Sequence, residues 1–187
     1  MAPVRFPTAR SLFETFPEAA VKAAEAPIDA PSLVYLQNLA AREKFEDAVT
    51  FCAYLLPRRE AVWWACRCAR ALLADGADDG GPGNSAALLA AEAWVRNPDD
   101  EHREAALRIG NAGDVNDPMT WLAMAAGWAG GMFVSHPKNP VPVPQYMTAR
   151  ACRIAVFLSA RLPRGPERGA RLRACIADGA CLAEAGR

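Results

Sequence analysis

The chain has 187 residues, a length that suits one folded domain with a sizeable hydrophobic core. Its 21 basic and 21 acidic residues balance to a formal net charge of zero, which argues against long-range attraction to nucleic acid or to an acidic membrane surface. No cluster of lysine and arginine is interleaved with aromatic residues, as it is in proteins that bind single strands. We therefore expect no nucleic-acid partner.

The N-terminal end has no apolar run long enough for a secretory signal, so we expect a cytoplasmic protein. Residues 1–187 are interpreted as a single all-helical domain, with residues 1–16 as a candidate flexible segment. The composition favours helix, because alanine is the commonest residue and has the highest helix propensity.

Prolines mark the starts of most predicted helices, because proline is well tolerated at the first helical position. The prolines that precede helix-like sequence are Pro17, Pro31, Pro57, Pro98, Pro118, Pro144 and Pro166. Asn97 and Asp117 are the predicted caps of two of these helices. Further helices over 42–56 and 85–97 bring the total to about nine. No strand is predicted, since the apolar segment 141–143 is short and rich in proline.

The predicted helix after Pro57 is apolar over most of its circumference, which is typical of a central, buried helix. Trp63 and Trp64 project about 100° apart on this helix and are expected to pack against two different neighbours. Together these features favour a single-domain irregular bundle of helices stacked as antiparallel hairpins. A short α-solenoid is the alternative, because Leu-Pro-Arg recurs at 56–58 and 162–164, although no fixed repeat period follows.

The polar strip of that central helix consists of Arg59, Arg67 and Arg70. If the helix is buried, these arginines must reach solvent or pair with acids. Buried ion pairs are the favoured interpretation, with Asp47 and Glu92 as candidate partners, and an anion site is the alternative.

The six cysteines are predicted to be buried, reduced thiols, because each lies among apolar residues in a helical pattern. Cys66 and Cys68 diverge by about 200° on a helix and cannot share a metal ion. No convergent spacing of cysteine and histidine appears, so neither a metal site nor a cofactor is predicted.

No residue is assigned a catalytic role, because the sequence lacks the signature of an activated nucleophile. Ser135 and His136 are the nearest approach to a catalytic pair, and a loop serine is the simpler interpretation. The carboxylate pair Asp99 and Asp100 is explained by its place at a helix start. Enzyme activity is therefore left open, with a binding role favoured. The role of the loop over 75–85, which is rich in glycine and aspartate, is also open.

Residues 118–149 carry a single formal charge, that of Lys138. The first half is predicted to be a glycine-terminated core helix, and it is too short and too moderately apolar to favour membrane insertion. The second half is a proline-rich connector. Because Lys138 is its only formal charge, the segment 130–146 is the candidate partner-binding loop. Its candidate contact residues are Met132, Phe133, His136, Val141, Val143 and Tyr146.

Two other functions remain open. A small helical ligand-binding protein or enzyme could have a pocket lined by Trp63, Trp64, Trp121 and Trp128, although core packing is the commoner role of such residues. Self-association through the uncharged segment 118–149 is the other alternative.

Two stretches, AVTFCAYLLPRREAVWWACRCAR (48–70) and VPVPQYMTARACRIAVFLSARL (141–162), resemble a bacterial family of uncharacterised helical proteins, domain of unknown function 6931. The resemblance covers residues 43–161. Its motifs are structural: a proline-started helix with paired tryptophans, and a proline-rich loop before an alanine-rich helix. The family is often encoded near type VI secretion genes, so the resemblance implies a cytoplasmic accessory or adaptor role. It supplies no catalytic residues.

Overall fold

The computed structural model describes residues 4–20, 28–73, 85–133, 140–161 and 166–185. Within these ranges the protein is all-α, with nine helices, one 3₁₀ turn and one pair of two-residue strands. The helices are α1 (Ala9–Thr15), α2 (Ser32–Ala41), α3 (Phe45–Leu55), α4 (Arg58–Leu73), α5 (Ala86–Arg96), α6 (Asp100–Ala112), α7 (Pro118–Gly127), α8 (Gln145–Ser159) and α9 (Pro166–Ala185). The 3₁₀ turn is Pro17–Ala19, and the strands are β1 (Met132–Phe133) and β2 (Val141–Pro142).

Eight of the predicted helices are confirmed as α2 to α9, and the segment after Pro17 is the exception. There the structure has only the 3₁₀ turn, before residues that lie outside the described ranges. Conversely, α1 is not among the predicted helices. A reciprocal capping arrangement starts it: the Ser11 amide donates to the Thr8 hydroxyl and the Thr8 amide donates to the Ser11 hydroxyl, both at 3.3 Å. The Leu12 side chain is fully buried and packs this helix against the core.

Of the two predicted helix caps, one is confirmed and one is wrong. Asp117 caps α7 as predicted, accepting a hydrogen bond from the Met119 amide at 3.0 Å. Asn97 is not the cap of α6. Asp99 takes that place, since its carboxylate accepts from the His102 amide at 2.9 Å.

The bundle is organised around α4, which packs against α3, α5, α7, α8 and α9. In a solenoid each repeat would touch only its neighbours along the chain. Here α8 and α9 instead return to cover α3 and α4, so the architecture is an irregular bundle. Among the described residues, no helix combines the length and the apolar character needed to cross a bilayer.

The two adjacent tryptophans of α4 have opposite environments. Trp64 is fully buried, and its indole N–H donates to the Cys175 carbonyl of α9 at 2.8 Å. Trp63 is 36% exposed and lies on the arginine strip, so the two rings face different surroundings. The packing around Trp64 is so close that a Cβ atom on Gly179 would lie 2.9 Å from the indole nitrogen.

A small antiparallel ladder corrects the prediction that no strand occurs. β1 and β2 pair with Met132 opposite Pro142 and Phe133 opposite Val141. Proline lacks an amide hydrogen, and this ladder is consequently only two residues long.

Candidate functional site

The hairpin that joins α7 to α8 is the candidate site, and it is held at its base by Arg58. From the first turn of α4, this guanidinium donates to the Ala129 carbonyl at 2.7 Å and to the Val143 carbonyl at 3.2 Å. The Val143 amide closes the base with a hydrogen bond to the Gly131 carbonyl at 3.1 Å. Burial lowers the pKa of Arg58 from its usual value. One side chain of the central helix thus joins the segment before β1 to the segment after β2.

A second arginine supports the other side of the hairpin. Arg103 of α6 donates to the Gly127 carbonyl at 3.4 Å, and pairs with Asp100 at 2.8 Å and Glu104 at 3.2 Å. Its guanidinium lies against Gly131, where an added Cβ would come within 2.6 Å of Nη1. Gly131 also has a φ of +78°, a conformation that favours glycine. Glycine at this position is therefore required both by the backbone conformation and by the space that Arg103 occupies.

The part of the hairpin at and beside its two strands presents apolar side chains to solvent, and residues 134–139 between the strands lie outside the described ranges. Met132 is 56% exposed and Val141 is 53% exposed, and the neighbouring Pro140 and Pro142 are exposed as well. We call these four residues the hairpin tip. The described residues of segment 130–146 carry no formal charge. An exposed, uncharged surface on a braced backbone is suited to contact with another apolar surface.

The remaining candidate contact residues lie elsewhere. Val143 is only 7% exposed, because its side chain turns inward and supports the hairpin, so it adds no contact area in the free protein. Tyr146 is half-buried against the core. The side chain of Phe133 and the whole of His136 lie outside the described residues, as does Ser135.

The four tryptophans proposed as a pocket do not share one environment. Trp64 is enclosed by the core, whereas Trp63 reaches the surface. Trp121 of α7 and Trp128, the residue after this helix, pack edge to face with ring centres 6.4 Å apart, and the Trp121 indole donates to the Val115 carbonyl at 2.8 Å. Packing and hydrogen bonding therefore account for three of the four rings.

Two arginines of the strip on α4 form ion pairs, and in each pair the arginine side chain is exposed. Arg70 donates two hydrogen bonds, of 2.7 and 3.0 Å, to the Glu92 carboxylate. The Glu92 side chain is buried, whereas the Arg70 side chain is exposed. Arg67 pairs with Asp178 of α9 at 2.7 Å. The acid opposite Arg67 is thus Asp178 and not the candidate Asp47. These pairs fasten α4 to α5 and α9.

Arg59 has a different role from its two neighbours on the strip. Its Nε donates to the Val95 carbonyl at the end of α5 at 2.7 Å, which satisfies a carbonyl that the helix itself leaves unpaired. Arg59 also lines a shallow groove of about 280 Å³ beside the exposed face of Trp63 and Leu182.

Five of the six cysteines are buried and all six are free thiols, with Cys181 exposed. Burial raises the pKa of the Cys52 and Cys152 thiols, so they stay protonated and unreactive at neutral pH. The Cys68 thiol donates a hydrogen bond to Cys175, which lowers the pKa of Cys175. Within the described ranges, no three His, Cys, Asp or Glu side chains come close enough together to hold a metal ion.

Arg58 and Arg103 are the residues of this site that sequence reasoning misses. Their carbonyl partners lie between 24 and 85 residues away along the chain, so no local pattern reveals them. The glycine pair before Met132 is the one local sign in the sequence that another part of the chain packs closely against this backbone.

Comparison with known proteins gives one positive result. No curated protein matches the chain, and no solved structure does. Residues 35–183 match the model of a family described as a family of unknown function, DUF6931. This range includes Trp64, the two arginines Arg58 and Arg103, and the hairpin, while α1 precedes it. The match spans most of the 187 residues, and the chain therefore belongs to the DUF6931 family.

Proposed function

We propose that the protein is a non-enzymatic adaptor that binds another protein through the hairpin tip. The observation that carries the proposal is the combination of two side chains more than half exposed, Met132 and Val141, with a hairpin base that Arg58 holds by hydrogen bonds to the Ala129 and Val143 carbonyls. Where hydrogen bonds already hold the backbone, as at Ala129, Gly131 and Val143, less conformational entropy is lost on binding, so more of the contact energy contributes to affinity.

The side chains of the tip indicate which kind of surface a partner would need. Methionine is flexible and polarisable and adapts to irregular apolar pockets, whereas valine and proline are stiff and lose little freedom when covered. The four residues of the tip are uncharged, so the contacts that they make with a partner are apolar. We expect a complementary apolar pocket or groove on another protein.

The resemblance to proteins encoded near type VI secretion genes suggests which partner to test first. We propose that the protein acts in the cytoplasm as an accessory of such a secretion apparatus, with one of the apparatus components as its partner. Neither a nucleic acid nor a cofactor forms part of this proposal.

The test is site-specific photocrosslinking in the bacterial source. A benzophenone amino acid replaces Met132 in one strain and Val115 in another, because Val115 is also exposed, at 62%, but lies in the turn between α6 and α7. We expect position 132 to crosslink a defined protein and position 115 to give none of that product. Crosslinks that are the same from both positions would refute a specific role for the hairpin tip.

A binding measurement with the identified partner follows. The double variant Met132→Asp/Val141→Asp is expected to lower affinity at least tenfold, about 1.4 kcal/mol or more, because it places charge in an apolar contact. Val115→Asp, the matched control, should bind like the wild type. Both variants change exposed side chains, so circular dichroism and the melting temperature should stay close to those of the wild type.

A further inference from the structure

A second surface, remote in sequence from the hairpin tip, lies between α2 and α9. The two helices border an open groove of about 480 Å³. Its apolar lining includes Leu36, Ala40, Ala41, Ile176, Ala177 and Ala180. Most of these side chains are small, so the backbone of an incoming helix could approach closely.

One line of residues on α9 faces this groove with the spacing of a helix–helix seam. Arg173, Ala177, Ala180 and Glu184 all line the groove and follow one another at intervals of four, three and four residues. This spacing averages about 3.67 residues per turn, close to the 3.6 of a straight α-helix, so the four residues lie along one face of α9. The two inner positions are alanine, and the two outer positions carry opposite charges.

The arrangement of the seam is self-complementary. Arg173 and Glu184 stand at equal distances from its centre, so a two-fold axis there would place Arg173 opposite Glu184 of a second copy, and the reverse. The same operation would place Ala177 opposite Ala180 of that copy. Such an isologous contact, in which one patch meets itself, is the commonest symmetry of soluble oligomers.

We infer that the protein forms a two-fold dimer in which α9 of each copy packs antiparallel in the α2–α9 groove of the other. The charges favour a second copy over a partner of uniform charge, which would leave either Arg173 or Glu184 facing a like charge. Arg173 lies within 3.0 Å of Glu43 in its own chain, but both side chains are at least half exposed, so the guanidinium has room to contact a second carboxylate.

Charge reversal tests the pairing directly. Sedimentation equilibrium over a concentration series should show a monomer–dimer equilibrium for the wild-type chain. Arg173→Glu or Glu184→Arg alone should raise the dissociation constant about tenfold or more, because each reversal acts twice in a symmetric interface. The double variant Arg173→Glu/Glu184→Arg should recover the dimer.

Mixing the two single variants is the sharpest arm of the experiment. In an equimolar mixture, the acidic pair 173/184 of one chain faces the basic pair 173/184 of the other, so a one-to-one heterodimer should form more tightly than either homodimer. Arg108→Glu and Glu101→Arg make the same charge changes on the exposed face of α6 and should leave the equilibrium unchanged.

Ala177→Glu supplies an independent variant, because it places a charge at the apolar centre of the seam and should give a monomer with wild-type circular dichroism. Three results would overturn the inference. They are a wild-type chain that stays monomeric over the whole series, a dimer that tolerates both single reversals, and a failure of the mixed variants to pair.

Discussion

The junction around Trp64, where α3, α4 and α9 meet, and the hairpin tip are both apolar, but the first is buried and the second is exposed. At the junction α3, α4 and α9 meet so closely that a Cβ on Gly179 would press on the Trp64 ring. At the tip, Met132 and Val141 stay more than half exposed, while Arg58 bonds the backbone at the hairpin base and Arg103 packs against Gly131.

The difference separates two uses of apolar residues. Closely packed side chains stabilise the fold through burial and dispersion, and they tolerate little change of volume. Exposed side chains on a braced loop contribute little to folding and are available for binding. The contrast can be measured by making the same substitution at two residues of one type, one closely packed and one not, and comparing the effects on stability.

The largest difference is expected between the adjacent tryptophans. Trp64→Ala should lower the free energy of unfolding by about 3–5 kcal/mol, because it leaves a cavity and removes the hydrogen bond to Cys175. Trp63→Ala should cost about 1 kcal/mol or less, since the ring is partly in solvent. Urea unfolding followed by circular dichroism measures both. Equal losses would contradict the assignment of Trp64 to the core and Trp63 to the surface.

A smaller but opposite pair of effects is expected within α9. Gly169→Ala should stabilise the protein by about 0.5–1 kcal/mol, because alanine is the better helix former and its Cβ would meet Phe45 at an ordinary 3.4 Å. Gly179→Ala should destabilise it by about 1–3 kcal/mol, because the methyl group overpacks against Trp64 and Cys52. The free energy of unfolding in urea provides the comparison, and a stabilising Gly179→Ala would show that the junction has spare room.

The smallest pair lies at the base of the hairpin. Gly131→Ala should cost about 1–2 kcal/mol because of its positive φ, and it should also push against Arg103. Gly130→Ala should change the stability by less than about 0.5 kcal/mol, since its Cβ would lie 3.5 Å from the Arg103 side chain.

Hydrogen exchange of the Val143 amide, which bonds the Gly131 carbonyl, reports local opening of this base. Exchange should accelerate in Gly131→Ala alone. The same acceleration in Gly130→Ala would mean that the conformation of Gly131 does not hold the hairpin together.

Most helices could be predicted because their causes are local. Apolar periodicity, helix-starting prolines and the Asp117 cap act within a few residues, and eight predicted helices are present. The first helix escaped prediction because serine occupies the position where glutamate or glutamine usually completes a capping box. The contacts that hold the hairpin also escaped, since they join residues far apart in sequence.

The amino-acid sequence alone determined the all-helical class, the buried character of α4 and the low charge of the segment before α8, because composition and periodicity act along the chain. Only the tertiary structure decided which apolar residues are covered. Trp63 and Trp64 are adjacent in sequence and alike in chemistry, yet α9 covers one of them and solvent reaches the other. Burial depends on which distant segments pack against a side chain, and for Trp64 that segment lies more than a hundred residues away.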